Sequence, residues 1–425
     1  MTSPTLSAPQ GSRFRSLRHR NFRLFWIGQL VSLVGTWMQS VAQGWLMHRL
    51  TDSAMMLGLL GFFQFAPVTL FSLWAGVVAD RVDKRKMLVV TQVGFLLQAV
   101  ALAILTTTGH VQPWMVLALA FVFGVLNAFD LPGRQAILAD LVGREDLSNA
   151  IALNSAGFNV ARILGPAMAG VAVAVIGEAG CFWVNAASYI AVIAGLLMMT
   201  SPARLEAAGH AFGSLKEGVA YAWRTTPIRN LLVLLAVCGG LGFQYNTLLP
   251  VYARTIFHSN AQLYGWMMSA FGAGSLVAAV SMTRHLDRWM LRRNLLVGLV
   301  TAGTGLTMFA WSRWMPLTLA AGALSGYGLI LYVASTNTLV QWTTENAFRG
   351  RVMSLYTFMF IGTTPLGALL AGGLAERFGA PVATTACALL LLAGALWIAR
   401  RLRYLREQEA RERQQVAEAG TEKLG

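Results

Sequence analysis

Apolar stretches with few or no charges recur along the chain at about 24–47, 53–79, 87–109, 111–129, 148–177, 179–200, 230–253, 262–283, 294–312, 314–338, 352–375 and 378–399. Each reaches roughly the ~20 residues that a helical bilayer crossing needs, and short polar segments separate them. The pattern predicts an all-α polytopic membrane protein with twelve transmembrane helices. Arg162 is the one charge inside these stretches.

The longest interruption, Thr200 to Arg229, divides the stretches six and six, and it carries Leu215, Val219 and Trp223 at four-residue spacing. That spacing predicts an interfacial amphipathic helix between two halves. The expected organisation is an N-terminal arm and six-helix bundle over 1–199, a cytoplasmic linker over 200–229, a second six-helix bundle over 230–399 and a charged tail over 400–425. An internal repeat supports the halving. Pro166 precedes Gly180 by the interval at which Pro365 precedes Gly379, and Asp287-Arg288 followed by Arg292-Arg293 echoes Asp80-Arg81 followed by Lys84-Arg85. Weak repeats at this period suit a transporter made of two related bundles.

Charge sets the orientation. With the N-terminus inside, the cytoplasmic segments hold five N-terminal arginines, the cluster Arg81 to Lys86, the pairs around 284–293 and 349–351, and the tail from Arg400. The outer loops hold only Arg49, Arg254, Arg313 and Arg377. This bias places both termini in the cytoplasm and supports an even number of spans in a multi-pass protein. The arm before the first stretch has no small-residue cleavage site, which excludes a cleaved signal peptide.

Composition agrees: 56% of residues are hydrophobic and 12% charged, too little polar surface for a soluble globule of 425 residues. The net charge of +15 lies in short clusters between spans, so no nucleic-acid partner is implied. Cys181, Cys238 and Cys387 have no CxxC spacing, and neither a disulfide framework nor a metal site is expected. The six histidines lie near loops, and no G-x4-G-K-[ST] loop is present, which argues against an intramembrane enzyme and direct ATP drive.

The densest charge is Gly76-Val-Val-Ala-Asp80-Arg81-Val-Asp83-Lys84-Arg85-Lys86, a turn between two spans. Gly76 and Ala79 would allow close helix approach, and Asp80 could accept from backbone N–H groups at a helix start. This segment resembles the G-x-L-A-D-R-x-G-R-K signature of the major facilitator superfamily, with Val78 for Leu and Asp83 for Gly. The resemblance implies a conformational gate formed by Gly76, Asp80, Arg81, Lys84, Arg85 and Asp130. Asp80 is expected to cap the eleventh span near Arg351 to Ser354, and Lys84 to reach Asp130.

The first span carries Gln29, Ser32, Thr36, Gln39, Ser40 and Gln43 on one face. Such a stripe is either a seam between helices or a cavity wall. The resemblance implies that spans one, four, seven and ten line a central cavity. Polar groups recur in all four, at Gln39 and Gln43, Asn127, Tyr245 and Asn246, and Tyr332 and Asn337, which favours the cavity. Aromatic neighbours such as Trp37, Phe121 and Phe243 make the expected ligand amphiphilic.

In the fifth span, Ala152, Ala161, Gly165-Pro166 and Ala169-Gly170 are similar to the G-x8-G-x3-G-P-x2-G-G pattern of facilitator antiporters, with Ala at three glycine positions. Leu17-Arg-His-Arg-Asn-Phe-Arg-Leu-Phe, Arg162-Ile-Leu-Gly-Pro-Ala and Arg349-Gly-Arg-Val-Met-Ser-Leu-Tyr resemble the bacterial subfamily of macrolide efflux pumps and the enterobactin exporter. The resemblance implies a monomeric drug or siderophore exporter working by alternating access among membrane lipids. Its partners would be a small-molecule substrate and protons. It would need no cofactor beyond the proton motive force. An importer in the same fold stays open. No Asp or Glu lies well inside a span, so proton coupling is carried by resemblance alone. Arg162, near mid-membrane, must face a wet cavity, a partner or the ligand, and is expected to contact substrate or to tie helices together.

Overall fold

The computed structural model describes residues 15–200, 213–282 and 287–422, with side chains at 73, 80, 144, 213–216, 241 and 402–422 outside that description. Among the described residues the regular elements are all helical. α1 (Arg20–Thr51), α2 (Ala54–Arg81) and α3 (Lys84–Thr107) are followed by α4, Pro113–Leu197. At ~1.5 Å per residue that length far exceeds one bilayer. α4 breaks at Gly143 (φ 71) and Gly177 (φ 71), backbone conformations that glycine adopts without a Cβ clash. It therefore has three limbs, 113–142, 144–176 and 178–197, and the dihedrals stay helical through Pro132 and Pro166.

A linker helix, α5 (Gly213–Arg224), precedes a composite span made of α6 (Thr226–Leu234), a π turn (Leu235–Gly239), α7 (Gly240–Gly242), α8 (Tyr245–Val251) and a second π turn (Tyr252–Ile256). Then come α9 (Ala261–Ser281), α10 (Arg288–Trp311) and α11 (Met315–Thr343). α12 (Arg349–Gly362) and α13 (Thr364–Phe378) form one crossing, and α14 runs from Ala380 to Glu422. Nine helices among the described residues are long and apolar enough to cross a membrane. Dividing Glu145–Leu197 at Gly177, and counting α1 and the composite span, is consistent with twelve.

The chain forms two compact units: Met1–Leu46 with Pro67–Gly209, and Met47–Ala66 with His210–Gly425. The expected boundary at 200–229 thus has a second one beside it, because the turn joining α1 to α2 groups with the later residues. Of the linker, 201–212 lie outside the described residues.

In unit 1, Phe22, Leu88, Ile137, Leu141, Leu153 and Leu196 build one apolar core, and Phe95, Ala99, Phe123, Ala186 and Tyr189 build another. Tyr189 stacks on Phe95 at 5.5 Å and shares a hydrogen bond with Thr36 Oγ1 at 3.2 Å, joining α1 to these helices. The arm docks on the second limb of α4: Arg15 Nε lies 2.8 Å from Asp146, and Ser16 donates to Asn149.

In unit 2, backbones cross closely. A Cβ on Gly274 or Gly326 would collide with α11 or α9, the small-residue packing that dispersion favours inside a bilayer. Tyr332 donates its hydroxyl to Leu234 O (3.1 Å) at the edge of the first π turn, and Tyr252 donates to Thr384 (2.9 Å) within the second. The first of these supplies a donor to a carbonyl that bulk water cannot reach. α5 lies on the start of α12. Tyr221 stacks on Phe348 at 4.3 Å, and Arg351 pairs with Glu217 at 2.9 Å. Val219 and Trp223 remain exposed, as an interfacial face requires, while Leu215 is outside the described side chains.

The glycines of the sequence repeat differ in backbone conformation. The turning glycine of the first half is Gly177, not Gly180, whereas Gly379 (φ 86) turns the chain in the second.

Candidate functional site

Within unit 1 the charge knot works as a staple between helix ends. Asp83, the residue that departs from the superfamily pattern, caps α3 by accepting from Arg85 N (2.9 Å) and Lys86 N (3.1 Å). This fixes the direction of the two cations that follow. Lys84 Nζ reaches Asp140 Oδ2 at 2.7 Å and Ala136 O at 3.4 Å on the first limb of α4. Arg85 donates to Leu196 O (2.6 Å) and Leu197 O (2.7 Å), carbonyls left open where α4 ends.

The expected Lys84–Asp130 contact is therefore corrected. Asp130, 3% exposed, is held by Thr91 Oγ1 (2.9 Å), Gln92 Nε2 (2.8 Å) and Arg134 Nε. Both its oxygens are occupied by donors from α3 and from its own helix. The first limb continues past the end expected near residue 129, so a second carboxylate, Asp140, falls where Lys84 can reach it. The close approach expected at Gly76 is absent: a Cβ there would meet nothing within 4 Å. Ala79 is buried and Arg81 is exposed. The side chain of Asp80 lies outside the described residues, and the first turn of α12 has no side-chain cap from Phe348.

Four of the residues expected on a cavity wall are spent inside the units. Gln39, 2% exposed, donates to Gln98 Oε1 (3.0 Å) and accepts from Asn185 Nδ2 (2.7 Å). Gln43 is buried with its amide toward Val116 O at 3.5 Å. Tyr245 stacks on Phe271 at 3.9 Å, and Tyr332 is fully buried. The stripe on α1 is to that extent a seam, because an amide in hydrocarbon is stabilised by neighbouring amides. Asn246 is exposed, while Asn127, Arg162 and Asn337 are half-buried. Asn337 accepts from Gln341 Nε2 at 2.6 Å.

Arg162 heads a polar ladder on the second limb of α4. Its guanidinium donates to Asn159 Oδ1 (3.0 Å), and Asn159 Nδ2 donates to Ser155 O (2.8 Å). These steps of three and four residues keep the ladder on one helix face. Near it, Trp37 and Phe158 meet edge to face at 6.3 Å. Gly165 and Pro166 are buried, and a Cβ on Gly165 would lie 2.5 Å from Trp37 Cβ. The antiporter-like motif thus brings α1 against α4. Gly170 is buried on the same limb.

Sequence reasoning passed over a second cluster, in unit 2. Glu376 Oε2 accepts from Ser53 Oγ (3.0 Å) and Met55 N (3.1 Å), capping the start of α2 from α13. Arg254 donates to His48 O at 2.8 Å, and His48 pairs with Thr255 Oγ1 at 3.1 Å. A Cβ on Gly372 would meet Ala54 O and Gly58 Cα at 2.8 Å. The only sequence signal was an acid, Glu376, at the edge of an apolar run. Among the described residues no group of His, Cys, Asp or Glu could hold a metal ion.

The fold matches that of the nucleoside transporter NupG, with a TM-score of 0.73 at 13% identity over 90% of this chain and 99% of that one. The architecture is that of a multi-pass, all-helical membrane protein. The chain belongs to the major facilitator superfamily, in the family described as transmembrane secretion effector, whose model matches residues 11–423. It is similar to the staphyloferrin A transporter of Staphylococcus aureus, 27% identical over 84% of this chain and 90% of that protein. It is also similar to the multidrug efflux pump Tap of Mycolicibacterium fortuitum, 27% identical over 82% of this chain and 88% of that protein.

Proposed function

We propose that this transporter is a proton-driven exporter of amphiphilic or aromatic small molecules from the bacterial cytoplasm, working by alternating access in the cytoplasmic membrane with both termini inside. The single observation that carries the reading is the Arg162–Asn159–Ser155 ladder, a charged and hydrogen-bonding face beside Trp37 and Phe158 within the fifth apolar stretch. A guanidinium at that depth is costly unless it meets water, protein or ligand oxygen. Beside aromatic rings it suits a ligand with apolar bulk and a carboxylate or carbonyl-rich group. The names of the relatives, a staphyloferrin A transporter and a multidrug efflux pump, support a small-molecule ligand, and the second supports the outward direction.

Asn127, Asn246 and Asn337 are the further ligand-facing candidates. The Lys84–Asp140 and Arg85 contacts would hold the charge knot rigid as the protein changes state. The test compares accumulation of a panel of such compounds in cells lacking and overexpressing the protein. Expression should lower accumulation, and collapse of the proton gradient should abolish the difference. Raised accumulation on expression would instead establish import.

A further inference from the structure

In unit 2 the start of α10 repeats the start of α3, with one part missing. Asp287 caps α10 by accepting from Met290 N at 2.7 Å, as Asp83 caps α3. This alignment of caps corrects the sequence echo, which set Asp287 against Asp80. Arg288 then stands where Lys84 stands, one residue after the capping aspartate. Lys84 finds the carboxylate of Asp140, whereas among the described residues Arg288 meets the Trp342 carbonyl at 3.4 Å, at the end of α11, and no carboxylate.

Arg288 borders a pocket of about 190 Å³. Arg288, Arg292 and Arg401 line it together with the polar side chains of Asn230 and Thr343. Among the described residues no carboxylate lines it. Among the described residues Arg292 and Arg401 form no ion pair, and Asp287 is engaged in its cap. The floor is apolar, formed by Leu295, Leu339 and Ile398, which are buried. Trp289 and Trp342 stand exposed nearby, the placement of indoles at a headgroup boundary.

We infer that this pocket binds a phosphate ester in place of the missing carboxylate, with the headgroup of an anionic phospholipid as its source. Three arginines on the lining of one cavity match a phosphodiester in charge, and a guanidinium suits its oxygens in hydrogen-bonding geometry. The apolar floor accepts the beginning of an acyl chain, which a free phosphate lacks. Basic pockets between helices on the cytoplasmic side are suited to such headgroups. The inference is independent of the exported ligand and of the transport direction.

The test reconstitutes the full chain with phosphatidylcholine alone or mixed with phosphatidylglycerol, strips bulk lipid with detergent and counts retained lipid by native mass spectrometry. The parent should retain phosphatidylglycerol over phosphatidylcholine by roughly tenfold or more, and each arginine changed to glutamine in the pocket should lower that ratio by roughly fivefold. Thr343→Glu restores a carboxylate and should displace the lipid with no loss of thermal stability. Arg349→Gln, outside the pocket, should retain the parental ratio. A parallel arm adds inorganic phosphate. Phosphate-dependent thermal protection that is lost in the arginine variants, without phosphatidylglycerol retention, would uphold the phosphate chemistry and assign it to a soluble source. Equal lipid retention by the parent, the Arg288/Arg292/Arg401 triple variant and Thr343→Glu, with no phosphate effect, would overturn the inference.

Discussion

Lys84 ends 2.7 Å from Asp140, with the two side chains 16% and 5% exposed, and the other oxygen of Asp140 is buried with no hydrogen-bond partner among the described residues. A pair so placed draws little stability from its own attraction, but breaking it leaves an uncompensated charge. Asp140→Asn should therefore destabilise the protein by about 3 kcal/mol. The double variant Lys84→Met with Asp140→Leu should recover most of that loss. Thermal unfolding of the single and double variants in detergent checks the expectation. An Asp140→Asn variant as stable as the parent would contradict it.

The spans were legible because the bilayer forces apolar runs of fixed length, which no tertiary contact needs to explain. The partner of Lys84 was not. Asp130 and Asp140 both follow the fourth apolar stretch, and which one a lysine reaches depends on how far the helix continues before Gly143. The α1 stripe was visible as polar but not as satisfied, since Gln98 and Asn185 come from helices remote in sequence. The grouping of 47–66 with the later residues rests on Glu376 and on the closeness of Gly58 and Gly372, and periodicity carries neither.

Gln39 separates a seam from a ligand wall. Gln39→Ala leaves the amides of Gln98 and Asn185 with unpaired groups, at a cost of about 1–3 kcal/mol. Thermal stability should fall, while the ranking of transported compounds stays as in the parent. A stable variant with altered ligand preference would return Gln39 to the ligand wall.

Gly372 tests the packing of the α1–α2 turn within unit 2. A Cβ there meets backbone atoms of 54 and 58, which flexible side chains cannot relieve by rotating away. Gly372→Ala should cost about 1–3 kcal/mol, measured by thermal unfolding in detergent, whereas Gly76→Ala, inside a helix where the added Cβ meets open space, should leave stability unchanged or raise it by up to about 1 kcal/mol. Equal costs at the two glycines would contradict the packing argument.

The proposed ligand contact rests on Arg162. Arg162→Lys keeps the charge and loses the planar fork, and Arg162→Gln keeps hydrogen bonding and loses the charge. Both should insert normally and transport roughly tenfold or more slowly, since hydrogen bonds to a charged group are among the stronger ones. Parental rates in both would make Arg162 scaffolding.

The most direct test of the exporter reading is transport into inside-out membrane vesicles, with cells lacking the protein as the source of the control membranes. An amphiphilic aromatic substrate identified in the accumulation panel should enter the vesicle lumen when respiration energises the membrane. Entry should stop when a protonophore is added, and should be absent from the control vesicles. Accumulation that is equal with and without the protein, or that persists unchanged after the proton gradient is collapsed, would contradict a proton-driven exporter.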